Sequence, residues 1–539
     1  MTGWQQHLLV VPIALPLIVG AIMVTLDEHR MRLKAAMGIV SILVMLGVAV
    51  VLALQAHAGG TAIGVYRLGN WPTSFGIVLM LDRLSALLLI LTSLLGLAAL
   101  LYALPRWQRM GAHFHALLQF QLMGLNGAFL TGDLFNLFVF FEVLLAASYG
   151  LALHGSGVAR VKAGLHYISI NLAASLLFLI GVSMIYGVAG TLNMADLAAR
   201  IPAMPAANRP LLEAGAAILG IAFLAKAATW PLGFWLMPTY AAASPPSAAI
   251  FSMMSKVGLY AVLRLVLLLF GPETGASAGF GGTGLMAGGI ATILFGAVSV
   301  LATQDLPRLA GASVLISSGT LLAAVGAGQA AVTGGALFYL ASSALAIGAF
   351  FLLIELLERG REVGADVLAV TLEAFGDGEE EDEEDDATGV PIPATMAVLG
   401  ACFLCCALLL AGLPPLSGFI AKFAMLSSIL NPAGLAEGPA LVPPGGWALL
   451  IALILSGFAT VVAMARAGIR NIWATSDRAV PRVGAVEIAP VLLLLFVCMG
   501  MTAAAGPVMR YMQAAAASLH APQDYVRQVV GHQAGGRTR

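Results

Sequence analysis

The chain has 539 residues, of which 60% are hydrophobic and only 10% are charged. A soluble domain usually carries about 25% charged residues, so this composition excludes a soluble globular protein and indicates an integral membrane protein. The formal net charge of −1 comes without a basic patch or a recognition motif, so we expect no nucleic-acid partner.

Apolar runs recur along the chain, and a helix needs about 20 such residues to cross a bilayer. The alternating pattern of a membrane β-barrel is absent, so helices are expected to be the spanning elements. We predict an all-α polytopic membrane protein with about fourteen transmembrane helices: 8–26, 35–56, 79–103, 115–131, 133–153, 166–190, 213–235, 246–270, 284–303, 309–328, 334–357, 393–430 (broken), 446–468 and 486–509. The first run lacks a basic leader and a cleavage site, so we expect it to be a retained helix.

The basic residues of the loops predict an orientation. Fourteen arginines and lysines fall in one set of alternate loops, and only Arg67, Arg200 and Arg209 fall in the opposite set. The positive-inside rule makes the first set cytoplasmic and places both termini outside the cytoplasm. The acidic loop 358–392, with the run GDGEEEDEEDDATG, is then a solvated cytoplasmic segment, because dense like charge repels itself and buries no apolar area.

Lysines mark the positions where chemistry is expected. The chain holds only five, and three of them (Lys226, Lys256 and Lys422) fall inside apolar helices. A charged ammonium at mid-bilayer costs roughly 3 kcal/mol. The alternative to a functional role is a lysine whose side chain extends to the membrane interface and places its ammonium in water. From the middle of a span that distance is long for a lysine side chain. A buried lysine also gives up its proton readily, which suits a proton carrier.

Glu142 is the carboxylate that stands out. It lies nine residues past Asp133, which places it roughly 14 Å into the membrane, where it needs a partner such as one of the lysines. The other carboxylates of the apolar segments lie near helix ends and are expected to be interfacial, with Glu355 kept as a weaker relay candidate: Asp82, Asp133, Glu213, Glu355 and Glu487. A row of such groups joined by water is a proton relay, so we expect an ion-translocating protein.

No cofactor or metal is expected. The four cysteines lie in apolar runs without a histidine or carboxylate nearby, which is typical of helix packing: Cys402, Cys405, Cys406 and Cys498. No binding motif for a nucleotide, haem or flavin is present.

A weak internal repeat links the two halves of the chain. LAKAA at 224–228 matches IAKFA at 420–424, and prolines interrupt both helices. A proline in a membrane helix frees carbonyls that only protein or cavity water can satisfy. Paired broken helices in two halves are typical of inverted-repeat transporters with sites near the midplane.

Three segments carry a resemblance to a known family: GDLFNLFVFFEVLLAASYGL, FLAKAATWPLGFWLMPTYAAASPPSAAIFSMMSKVGLYAVLR and GLPPLSGFIAKFAML. Over nearly its whole length the chain resembles the antiporter-like proteins shared by respiratory complex I and Mrp-type (Pha-type) multisubunit cation/proton antiporters. The stretch GNWPTSFGIVLMLDRLSALLLILTSLL at 69–95 is most similar to the D subunit of the Mrp group. The resemblance implies two inverted five-helix repeats, with helices 7 and 12 discontinuous.

The resemblance also implies roles for the charged residues. The counterpart of Glu142 pairs with that of Lys226, and a proton path continues through Lys256 and Lys422. Family members often carry a histidine in helix 11, whereas FYLASSALAIGAFFLLIELLER has Ser342 at the aligned position. The middle of the relay is therefore expected to use Ser342, Ser343, other hydroxyls or water. A serine can hold a water wire but cannot store a proton at pH 7.

These features predict a membrane subunit of an antiporter that exchanges protons for K⁺ or Na⁺ in the bacterial inner membrane, with other membrane subunits as partners. Residues 1–110 would hold helices 1–3, residues 111–430 the proton-antiporter core (helices 4–12), and residues 431–539 helices 13–14 and the tail. Three alternatives stay open. They are a proton-pumping subunit of a complex I-like oxidoreductase or membrane-bound hydrogenase, a self-sufficient transporter, and a structural scaffold.

Overall fold

The computed structural model describes residues 3–59, 64–71, 76–359, 394–432, 441–473 and 483–534. The acidic loop predicted at 358–392 lies outside them except for its first two residues. The α-helices are α1 Val11–Thr25, α2 Met31–Ala58, α3 Arg83–Ala103, α4 Phe114–Leu130, α5 Leu134–Leu153, α6 Val158–Ala189, α7 Met194–Arg200, α8 Arg209–Lys226, α9 Leu236–Ala242, α10 Pro245–Leu269, α11 Gly282–Ala302, α12 Leu306–Gly326, α13 Ala330–Glu358, α14 Ala394–Ala411, α15 Ser417–Leu430, α16 Pro444–Gly468, α17 Ala485–Ala503, α18 Ala505–His520 and α19 Gln523–Ala534.

A short hairpin interrupts the helical pattern near the start. Strand β1, Gly64–Arg67, pairs antiparallel with β2, Val78–Leu81, in a register that sets Gly64 opposite Leu81. The span predicted at 79–103 therefore begins later, at Arg83. The carboxylate of Asp82 accepts a hydrogen bond from the Ser85 backbone N–H at 2.8 Å, which caps the helix there.

The predicted spans coincide with helices of the structure. Among the described residues, twelve helices are long and apolar enough to cross a membrane, and two further apolar helices, α1 and α15, are shorter. The multi-pass helical architecture is thus confirmed. The count of fourteen crossings and the inverted repeats stay predictions. One boundary is wrong at the C-terminal end, where the span predicted at 486–509 ends at Ala503 and a separate helix follows.

The span predicted at 213–235 is broken at Lys226. Helix α8 ends there, and Ala228 adopts a left-handed conformation (φ 55°) that cannot continue a right-handed helix. Pro231 follows and has no N–H to donate. The indole Nε1 of Trp235 donates to the Ala225 carbonyl at 3.1 Å, so protein satisfies one of the carbonyls left free by the break.

The second break lies between α14 and α15. Gly412 has a φ of 76°, a conformation that glycine adopts without strain, and its backbone N–H donates to the Leu408 carbonyl at 3.0 Å. Pro414 and Pro415 then separate the two helices, and α15 restarts at Ser417. The structure therefore has a broken helix where each of the two was predicted.

Three helices form the enclosed centre of the molecule. Nearly all residues of α10, α12 and α13 are buried by protein, and these helices pack on one another. Helices α2, α6 and α17 instead expose apolar side chains along much of their length. A polar group on α10 or α13 can therefore be satisfied only by other protein groups or by enclosed water.

Candidate functional site

Ser175 joins Glu142 to Lys226. The Ser175 hydroxyl, on α6, donates to Glu142 Oε1 on α5 at 2.5 Å. The Lys226 ammonium donates in turn to Ser175 Oγ at 2.9 Å. Among the described residues no direct ion pair joins Glu142 and Lys226, so the partnership predicted from the sequence runs through a hydroxyl that the sequence did not single out.

The position of Lys226 follows from the break. It is the last residue of α8, and the C-terminal end of a helix carries a partial negative charge that stabilises a cation. Its Nζ also lies 5.2 Å from the centre of the Phe141 ring, within the range of a cation–π contact. The Lys226 side chain is only 5% exposed, so these groups replace the water it would otherwise bind.

Lys422 has a matching environment at the second break. Its Nζ donates to the Ala411 carbonyl at 2.8 Å, and Ala411 is the last residue of α14. Both ammonium groups thus lie at the C-terminal end of a broken helix, although Lys422 itself sits on the helix that follows the break. The C-terminal ends of half-helices are where transporters bind cations and protons.

Lys256 lies on the enclosed helix α10. Its Nζ donates to Ser317 Oγ on α12 at 2.7 Å, and the side chain is fully buried. The Ser317 hydroxyl lies 2.8 Å from that of Ser343 on α13. In the part of the chain described, no carboxylate forms an ion pair with Lys256. The Lys256 ammonium is therefore bound by a neutral hydroxyl, that of Ser317.

The two neighbouring serines of helix α13 contact different helices. Ser343 points to Ser317 and so to Lys256, whereas the Ser342 hydroxyl lies 2.7 Å from that of Ser417. Ser417 is the first residue of α15, the helix that carries Lys422. The structure therefore brings the two predicted serines between the two lysines, and it adds Ser317 and Ser417, which the sequence did not single out.

Glu355 lies apart from this array. Tyr102 and Trp107 donate to its Oε2 at 3.0 and 2.7 Å. Arg359 donates to its Oε1 at 2.9 Å and also binds Glu487 at 2.7 Å. These contacts tie the end of α13 to neighbouring elements. Within the described ranges, Glu355 bonds to none of the three buried lysines or their serines.

Asp82 lies at the start of α3, a helix end as predicted, and protein covers its carboxylate. Its Oδ2 accepts a hydrogen bond from Arg264 Nη1 at 2.6 Å, and the two residues are only 9% and 5% exposed. Arg264 also bonds Ser85 and Tyr260, so the pair is a buried network rather than a solvated charge.

The four cysteines lie in buried or partly buried positions of α14 and α17. The four cysteines are free thiols. Among the described residues, no group of three or more histidine, cysteine, aspartate or glutamate side chains is arranged to hold a metal ion.

These features define a polytopic membrane protein with buried lysines at the breaks and centre of its helical core. Residues 131–435 match the family model described as NADH:quinone oxidoreductase/Mrp antiporter, TM. The chain is 59% identical, over 98% of both chains, to the D subunit of a probable K(+)/H(+) antiporter of Rhizobium meliloti (strain 1021). It is 31% identical to the D subunit of the Na(+)/H(+) antiporter of Alkalihalophilus pseudofirmus, over 98% of this chain and 100% of that one.

The structural comparison agrees. The fold matches a chain in the structure of the Mrp complex from Dietzia sp. DQ12-45-1b with a TM-score of 0.81 and 25% identity, over 98% of this chain and 100% of that chain. The protein belongs to the NADH:quinone oxidoreductase/Mrp antiporter membrane family, and within it to the group of antiporter D subunits. The resemblance found in the sequence is confirmed.

Replacing Lys256 by methionine tests whether this residue is kept for stability. No described carboxylate forms an ion pair with Lys256, so Lys256→Met strands no partner charge. The substitution removes the desolvation penalty of an ammonium while keeping a long side chain. We expect the variant to unfold at the same temperature as the wild type or a higher one, measured in detergent. Leu259→Ala, on the same helix, is the control and should lose about 2–5 kcal/mol of stability. A strong destabilisation of Lys256→Met would assign Lys256 a structural role.

Proposed function

We propose that this chain is an ion-transporting subunit, not an enzyme, of a multisubunit membrane antiporter, and that it carries the proton path for exchange against K⁺ or Na⁺. The observation that carries the proposal is the hydrogen-bonded unit of Glu142, Ser175 and Lys226 at a helix break. The 59% identity to a probable K(+)/H(+) antiporter subunit supports K⁺ over Na⁺, since the Na(+)/H(+) relatives are 30–31% identical.

The unit has the polarity that proton transfer needs. Lys226 donates to the Ser175 oxygen while the Ser175 hydroxyl donates to Glu142. A proton can therefore leave the ammonium for the serine oxygen while the serine proton passes to the carboxylate, so the hydroxyl transfers charge without storing it. Glu142 and Lys226 are the two groups that hold the proton.

The path continues from Lys256 to Lys422 through α13. Ser317 and Ser343 extend from Lys256, and Ser342 and Ser417 extend toward the helix of Lys422. In the described part of the chain, the hydroxyl pairs on the two faces of α13 are not bonded to one another, so we assign the connection between them to enclosed water. Glu355 stays outside this path, and we assign it to anchoring the end of α13.

The assignment includes a setting and partners. We place the chain in the bacterial inner membrane with both termini outside the cytoplasm, because the basic loops favour that orientation. Other membrane subunits complete the antiporter, and residues 1–110, 111–430 and 431–539 remain the proposed division of the chain. The redox-complex alternative ranks second, because a protein named as an antiporter component matches 98% of this chain at 59% identity.

Loss of either charged group at the first break is expected to stop exchange. In everted vesicles from a strain without its own antiporters, the whole complex with Glu142→Ala or Lys226→Ala should show no K⁺-dependent proton exchange above the vector control. Glu273→Ala changes an exposed glutamate and should keep wild-type exchange. Normal exchange in both variants at normal expression would remove Glu142 and Lys226 from the path.

The serines of α13 supply the second test. Ser342→Ala with Ser343→Ala removes two hydrogen-bonding groups between Lys256 and Lys422. A hydrogen bond contributes about 1 kcal/mol and a tenfold change in rate needs about 1.4 kcal/mol, so we expect exchange to slow roughly ten-fold or more. Ser313→Ala is the matched control, since that buried hydroxyl donates to the Leu309 carbonyl in its own helix. Exchange at the wild-type rate in the double variant would route the path elsewhere.

A further inference from the structure

We propose that the cavity between α6, α9 and the loop before α12 binds the phosphate group of an anionic phospholipid. This headgroup cavity has a volume of about 470 Å³. Its polar wall is formed by Lys162 and His166 of α6, and by Asp305 and Arg308 at the start of α12. Trp235 and residues along α9 form much of the rest of the wall.

Two cations reach the headgroup cavity from different helices. No hydrogen-bond or ion-pair partner of Lys162 Nζ is found among the described residues, and the side chain is exposed. Arg308 Nε forms an ion pair with Asp305 Oδ2 of the same wall at 3.6 Å, which is too long for a hydrogen bond, so the guanidinium N–H groups can still donate to a ligand. The fixed charges sum to one positive charge at neutral pH, and three ammonium donors and a guanidinium fork are suited to phosphate oxygens.

The surroundings favour a lipid over free phosphate. Val158 and Leu165, on the same helix as Lys162, are 88% and 60% exposed. Phe234, which lines the cavity, is 60% exposed, and Trp230, four residues earlier in the chain, is 48% exposed. Exposed apolar side chains close in sequence to the residues of a basic cavity suit a headgroup with acyl chains, and basic pockets between membrane helices bind such headgroups.

The headgroup cavity touches the element that holds Lys226. Trp235 lines it, and the Trp235 indole donates to the carbonyl of Ala225, the residue before Lys226. A bound headgroup would therefore fix the position of α9 relative to the end of α8. This coupling rests on the proposed function, whereas binding itself does not.

Binding is tested on the intact complex that carries this chain, stripped of lipid in detergent and titrated with dioleoyl phosphatidylglycerol under native mass spectrometry. Each surface cation contributes about a factor of five to lipid affinity, so Lys162→Ala with Arg308→Ala should weaken binding about 25-fold. Arg32→Ala with Arg109→Ala removes two exposed cations of other loops and should change binding less than two-fold. Phosphatidylcholine should not replace phosphatidylglycerol.

Other results would contradict the site, the ligand or the coupling to α9. Unchanged phosphatidylglycerol binding in the Lys162 and Arg308 variant would overturn the site. If inorganic phosphate at equal concentration displaces the lipid, the occupant of the cavity is free phosphate and the lipid proposal is wrong. If Lys162→Cys crosslinks to another protein of the complex and not to lipid, the cavity is a protein contact. The wild-type complex should also exchange K⁺ more than two-fold faster with phosphatidylglycerol than without it. Lipid binding without that difference would overturn the coupling to α9.

Discussion

The structure depends on satisfying single ammonium groups inside an apolar helical core. An unpaired charge there is costly, and water from the bulk cannot reach the enclosed helices. In this chain, the ends of broken helices and serine hydroxyls bind the ammonium groups. Lys422 binds the last carbonyl of α14, Lys226 ends α8 and binds Ser175, and Lys256 binds Ser317. The break after α14 is therefore part of the charge balance, because an unbroken helix would use the Ala411 carbonyl internally.

This way of balancing charge also suits transport. A carboxylate in direct contact would hold a lysine strongly in its charged form. A neutral hydroxyl or carbonyl binds the ammonium but still allows the lysine to give up its proton. Glu142 does not contact Lys226 directly; two hydrogen bonds through the Ser175 hydroxyl connect them. The buried pair of Asp82 with Arg264 shows the other arrangement, in which a carboxylate contacts its cation directly at 2.6 Å. Among the described residues this pair bonds to none of the three lysines.

Much of this could be predicted from the sequence because rare residues carry it. A lysine or glutamate in an apolar run is conspicuous, and prolines near Lys226 and Lys422 indicate both breaks. Ser175, Ser317 and Ser417 give no such signal, since serine is common in membrane helices and its role depends on which helix faces it. The pairing of Asp82 with Arg264 spans 182 residues of sequence and follows only from the packing of α3 against α10. Strand β2 could not be told from the start of a helix, because an apolar run of that length fits either structure.

The central claim is that Glu142, Ser175 and Lys226 act as one proton-transfer unit, and a double-mutant cycle on exchange tests it most directly. Glu142→Asp keeps a carboxylate but shortens it, and Ser175→Ala removes the bridging hydroxyl, so each should slow K⁺-dependent proton exchange in everted vesicles. Residues that act as a unit are not additive, so the double variant should be no slower than the slower single variant. A double variant slowed by the product of the two single effects, or wild-type exchange in Ser175→Ala, would contradict the account.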